Sequence, residues 1–225
     1  MPLAGKGMLL TSMNIDAADE ADFNRWYDRE HLEERVAIDG FIEARRYVAH
    51  AANPKYLSLY STATLDVLDS PAYKARLANQ TDWSRQTMAR FKDMLRVVAR
   101  ITVSNGTGRG AALGLVRLRP TPDNAAAWRD ALQDKLAPDK RDGIISMHLL
   151  ESEPELSGAK AGIPATANEG ARDWFVLIDG TQIGAVSAVI AERFTGPAAA
   201  PFPFPVSVGT YYLMWDLAKS DIARG

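Results

Sequence analysis

Residues 23–50, FNRWYDREHLEERVAIDGFIEARRYVAH, hold the densest group of side chains able to do chemistry: Trp26, Tyr27, Glu30, His31, Arg45, Arg46 and Tyr47. The stretch reads as a helix, a tight turn at Asp39-Gly40 and a strand. At about 100° per residue, Phe23, Trp26, Tyr27, Glu30 and Glu34 share one helix face, with His31 on its shoulder. The acidic residues Asp16, Asp19, Glu20 and Asp22 suit the positive end of the helix dipole, and Asp16 is the expected N-cap. Gly40 permits the stop and reversal. In the strand, Ile42, Ala44, Arg46 and Val48 occupy one side, and Phe41, Glu43, Arg45 and Tyr47 the other. The first set is the more apolar and is expected under the helix, which brings Arg46 within reach of Glu30 or Glu34. An ion pair there would serve as a structural fastening as readily as a chemical device.

Working outward, residues 7–15 form a short apolar run of strand length, and the helix is expected over about 17–36. Residues 55–65 alternate Tyr56, Ser58, Tyr60, Thr62 and Thr64 against Leu57, Leu59, Ser61, Ala63 and Leu65, the period of a strand with two different faces. Ser70-Pro71 supplies an N-cap and a first helical residue for a helix to about 91, broken near 79–82. A fourth strand covers 96–103. The polar, Gly-rich segment SNGTGRG at 104–110 is a linker. Beyond it the pattern starts again: strand 111–119, helix 121–137, strands 143–151 and 172–179, helix 183–194 and strand 206–217. Two β-α-β-β-α-β units result, residues 1–105 and 106–225. Each covers one sheet face with helices and leaves the other bare. The expected architecture is therefore α+β: two tandem ferredoxin-like halves packing sheet to sheet as a single-chain α/β barrel. Two loops interrupt the second half. Residues 152–171 read as a lid or mobile loop, and 196–205 as a stiff, proline-rich segment offering Phe202 and Phe204 as apolar plugs.

Composition narrows the class. The chain has 225 residues, 47% of them apolar, and a net charge of −2, so there is no electrostatic case for nucleic acid or an anionic membrane. No apolar run reaches about 18 residues, and the N-terminus lacks the apolar core of a signal peptide, so a cytoplasmic protein is expected. Cysteine is absent, which excludes thiol chemistry and disulfides. The three histidines, 31, 50 and 148, show no local ligand spacing, so no metal site is expected. NGTGRG lacks the strand-to-helix setting of a phosphate loop.

The segments WYDREHLEER and GFIEARRY resemble the dimeric α/β-barrel superfamily, in particular its EthD-like and stress-responsive members. The resemblance covers residues 7–103; for 110–217 it is architectural only, since the second half offers Trp128 alone where the first has Trp26, Tyr27 and His31. It implies a cavity for a small hydrophobic or aromatic metabolite, bound with or without transformation and with no cofactor. The alternatives are a non-catalytic binding or stress-response module and a haem-dependent enzyme of the same superfamily. A homodimer of whole chains follows from base rates.

His31 is the first candidate for proton transfer near neutral pH, against the plainer reading of a hydrogen-bonded structural histidine. Glu30 is a second catalytic candidate if desolvated. Trp26, Tyr27 and Arg46 are expected to line the ligand site beside them. Tyr47, Tyr60 and His148 are further ligand-binding candidates: Tyr47, Tyr56, Tyr60 and Arg45 are expected to line the opposite sheet face, and His148 is expected to look into the barrel.

Overall fold

Strand β1 (Gly7–Asn14) is buried on both of its faces, which is why its sequence runs apolar without alternation. One face looks into a closed barrel and the other lies under helices. The computed structural model describes residues 3–138, 141–158, 170–200, 202 and 205–222. After β1 come α1 (Glu20–Trp26), a π-helical turn (Tyr27–His31), α2 (Leu32–Val36), β2 (Phe41–Ala51) and β3 (Tyr56–Thr62). Helices α3 (Pro71–Ala78) and α4 (Asp82–Met88) and strand β4 (Lys92–Gly106) complete the first half. The second comprises β5 (Ala112–Leu118), α5 (Ala125–Lys135), β6 (Ile144–Ser152), β7 (Trp174–Gly180), α6 (Ile183–Ile190) and β8 (Ser207–Ala218), followed by the short α7 (Lys219–Ile222).

The strands close in the order β1-β3-β2-β8-β5-β7-β6-β4, every pairing antiparallel. The bare sheet faces meet in the interior, as the sequence implies. Closure itself runs through two edge seams, β2 with β8 and β4 with β6. No strand edge is left open, which removes the aggregation hazard of a half sheet. The core has three parts. Met8, Leu10, Leu57, Leu59, Val97, Leu113, Phe175 and Leu177 fill the bore. A second cluster lies under the first-half helices and a third under those of the second half.

Local signals explain the boundaries. Ser70 caps α3 by accepting from Tyr73 N–H at 3.2 Å, with Pro71 next. The expected break falls between α3 and α4, where Thr81 caps α4 through Ser84 N–H at 3.0 Å. Gly40 has φ +86°, and a Cβ there would run into Val67. Asp16 is not the cap of α1: the helix starts at Glu20 behind Asp19, and the Asp16 carboxylate pairs with Lys92 at 2.6 Å. β4 is longer than expected because its pairing with β6 carries it to Gly106, into the linker.

Phe202 is buried against Trp128, with ring centroids 5.2 Å apart, so it does plug the apolar space under the second-half helices. Phe204 and most of the 152–171 loop lie outside the described residues. Among the described residues no helix is long and apolar enough to cross a membrane.

Candidate functional site

The sequence candidates fall into two groups on opposite sides of the first-half sheet. Trp26, Tyr27, Glu30, His31, Arg46 and Tyr60 lie on the helix side, with Tyr56; Arg45, Tyr47 and His148 lie in the bore. Tyr56 and Tyr60 are therefore not neighbours of Arg45, contrary to expectation. They belong to the outward parity of β3, whose inward positions are Leu57, Leu59 and Ser61.

The helix side is shaped by the π turn. Leu32 N–H reaches back five residues to Tyr27 C=O. In an α-helix positions 26 and 31 would be about 140° apart. The widened turn instead draws His31 under Trp26, with ring centroids 4.1 Å apart and planes 30° from parallel. His31 thus leaves its expected shoulder and becomes a buried residue, 8% exposed. Inserted π turns occur often at functional sites.

Below this turn lies a cavity of about 40 Å³, lined by His31, Tyr27, Arg35, Tyr60, Gln80 and Arg96 together with apolar side chains. Four buried polar atoms around it have no hydrogen-bond partner: His31 Nδ1, Arg35 Nη1, Tyr60 OH and Gln80 Nε2. The Tyr60 hydroxyl sits close to Tyr27 and Ser58 without a well-formed bond, and burial, then Tyr27, push its pKa well above the ordinary phenol value. Desolvation, helped by the nearby charges of Arg35 and Arg46, holds the His31 imidazolium well below its ordinary pKa. At neutral pH His31 is an uncharged ring with a nitrogen free to accept. The lining has two arginines and, among the described residues, no carboxylate. Such a cavity favours a developing oxyanion.

Glu30 and Arg46 have other employment. The Glu30 carboxylate accepts from Thr81 Oγ1 at 2.6 Å, Ser84 Oγ at 2.9 Å and Trp26 Nε1 at 3.2 Å. It clips α1 to the start of α4 and does not line the cavity. Arg46 does face the helix, but pairs with Asn24 at 2.6 Å and Asp28 at 3.3 Å instead of Glu30 or Glu34, and stacks 4.1 Å over the Tyr27 ring. Glu34 faces Arg76 at 3.7 Å. The cations that reach the cavity are Arg35 and Arg96, which the sequence reading passed over. Arg35 is one turn beyond His31, and Arg96 has the outward parity of β4; either spacing could have flagged them. Arg96 is held by Leu156 C=O at 2.9 Å and Tyr73 OH at 3.3 Å.

In the bore, Arg45 contacts Tyr47 OH at 3.2 Å and Asp179 at 3.4 Å. His148 does look inward, as expected, with Ser104 Oγ at 2.8 Å from Nδ1 and Ser146 Oγ at 3.0 Å from Nε2. Its Nε2 is 3.6 Å from Asp179 Oδ2. Tertiary pairing brings this serine–histidine–aspartate set together from β4, β6 and β7; no sequence spacing announces it.

No family profile and no curated protein matches the sequence. Solved structures match along nearly its whole length. An anthrone oxidase-like protein superposes with a TM-score of 0.65 at 10% identity, covering 97% of this chain and 96% of its own. The chain folds as a ferredoxin-like α/β barrel. A proposed monooxygenase from Lactobacillus acidophilus NCFM gives 0.61 at 9% identity, with 96% and 97% covered. A haem-binding protein from Thermus thermophilus gives 0.52 at 12% identity, with 100% and 98% covered. At such identities the likeness is one of fold.

The three histidines are poorly placed to hold a haem iron. His148 has serine hydroxyls at both ring nitrogens, exposed His50 meets Thr210 at 3.1 Å, and His31 is stacked beside a cavity far smaller than a porphyrin.

Proposed function

We propose that the chain binds a small hydrophobic, aromatic metabolite in the helix–sheet cavity of its first half and acts on it by proton transfer without a cofactor. The observation that carries this reading is the set of four unpartnered polar atoms around one mainly apolar and aromatic cavity that also holds Arg96 and Thr11. Buried polar groups are nearly always satisfied, so a cluster of exceptions calls for a ligand or water. A phenolic or enolisable ligand suits them. Its acidic proton passes to His31 Nδ1, giving imidazolium and a ligand oxyanion. Tyr60 O–H and Arg35 N–H then donate to that oxyanion. The low basicity of His31 is offset as the pair forms, because the anion cancels the new positive charge.

At about 40 Å³ the cavity holds water and no ring. Met13, Met88 and Met94 in its wall are unbranched and adaptable, and the α3–α4 break at Gln80 lies beside it. Ligand entry is expected to move these residues. Likeness to an anthrone oxidase-like protein makes anthrone the first probe, with oxygen uptake and binding measured together. Wild type should bind and deprotonate it, while His31→Gln retains binding and loses about 10²–10⁴-fold in rate. Binding and turnover unaffected by both His31→Gln and Tyr60→Phe would place the site elsewhere.

A further inference from the structure

We propose that the opposite, open end of the bore is a second binding site, for a small amphipathic carboxylate with a one- or two-ring hydrophobic body. A cavity of about 340 Å³ opens there, within the size range of ordinary ligand pockets. It lies on the inner face of the sheet and shares with the His31 cavity a single lining residue, Met94. Its walls come from both halves: Ser12 and Leu95 from the first, Leu115, Phe175 and Tyr211 from the second. Neither half alone could form it.

The inward positions of β5 run Leu113, Leu115, Arg117, so a guanidinium ends an otherwise apolar wall. Arg117 is aimed by the fully buried Asp173, whose carboxylate takes its Nε–H and is also bound by Arg119 Nε at 2.6 Å. That leaves Arg117 Nη2 buried and without a hydrogen-bond partner. Arg117 nevertheless lines the cavity, its side chain 14% exposed, and a guanidinium anchored through Nε with part of its surface open to a cavity is suited to a carboxylate. The apolar lining beside it, Leu95, Leu115, Phe175, Val208 and Tyr211, takes the hydrophobic body and explains why the partner should be amphipathic rather than a bare anion. Asp93 also lines the cavity and accepts from Asn14 Nδ2 at 2.8 Å.

Isothermal titration of the full chain with 2-naphthoate, and with neutral 2-naphthamide, tests the site. Wild type should bind the acid saturably and at least about tenfold more tightly than the amide. Ser207 is exposed and sits directly across from Arg117 in the β5–β8 register. Ser207→Glu should therefore fold normally, occupy Arg117 and weaken naphthoate at least about tenfold, as should Arg117→Met. His31→Gln and Tyr60→Phe should leave naphthoate affinity unchanged. No saturable binding by wild type, equal affinity for acid and amide, or full affinity in Ser207→Glu would overturn the proposal. Loss in the His31 and Tyr60 variants with none in Ser207→Glu would do the same, assigning the acid to the other cavity.

Discussion

His31 lies flat under Trp26, ring centroids 4.1 Å apart, although five residues separate them along the helix. The contact exists because the π turn at Tyr27–His31 adds a residue to one helical turn. It converts a position at the helix edge into a desolvated one, and desolvation is the first cause of the depressed His31 pKa.

That depression has a sign. An unfolded histidine titrates near 6.5, while folded His31 resists its proton until well below that. As pH falls below about 6.5 the unfolded state binds a proton that the folded state refuses, so stability drops. The loss approaches about 1.4 kcal/mol per pH unit until the folded pKa is reached. Urea denaturation at pH 7 and pH 5 should show a larger loss for wild type than for His31→Gln. Equal losses would mean that His31 is not held neutral by the fold.

Arg45 and Asp179 join the halves inside the bore, from β2 and β7, with side chains 1% and 0% exposed. Breaking such a pair strands a charge. Asp179→Ala should cost about 3–5 kcal/mol, whereas Arg45→Met with Asp179→Leu should be near neutral or stabilising. A double variant as unstable as the single would show that Tyr47, Glu43 and His148 depend on the pair more than its own desolvation costs.

Glu30 is a clip rather than a base. Glu30→Gln keeps an acceptor for Trp26, Thr81 and Ser84 and should change stability little. Glu30→Ala leaves the buried Ser84 hydroxyl without its acceptor, at about 1–3 kcal/mol, while Trp26 N–H keeps Ser84 Oγ at 3.0 Å. Loss of anthrone turnover in a fully stable Glu30→Gln would return Glu30 to the chemistry.

Trp26 is fully buried, and Trp26→Ala should cost about 3–5 kcal/mol, measured as a shift in denaturation midpoint at constant slope. A cost below about 1 kcal/mol would contradict its place at the centre of the helix–sheet layer.

A chain ending at Gly106 would leave β2 and β4 without β8 and β6 and uncover the bore. It should self-associate, read by light scattering. A well-folded monomer at high concentration would mean that the first half does not need the second.

Much of this protein was written in local pattern. Alternation in 55–65, the Ser70-Pro71 cap, Gly40 and the repeat of β-α-β-β-α-β order are set by near neighbours and by the need to bury a bare sheet face, so sequence alone determined the two halves and the barrel. It also put His31, Trp26, Tyr27 and the helix-facing Arg46 in the right layer. Which groups share a cavity was decided by tertiary structure. The π turn rotated His31 inward and Asn24 and Asp28 took Arg46; the spacing of Arg35 and the parity of Arg96 mark their faces, but only the packing of helix on sheet sets them at the same height beside His31. The Arg45–Asp179–His148 cluster and the Arg117 cavity depend on strand register across 134 and more residues, as between Arg45 and Asp179. Register is fixed by the whole barrel closing at once, and no single segment carries that information.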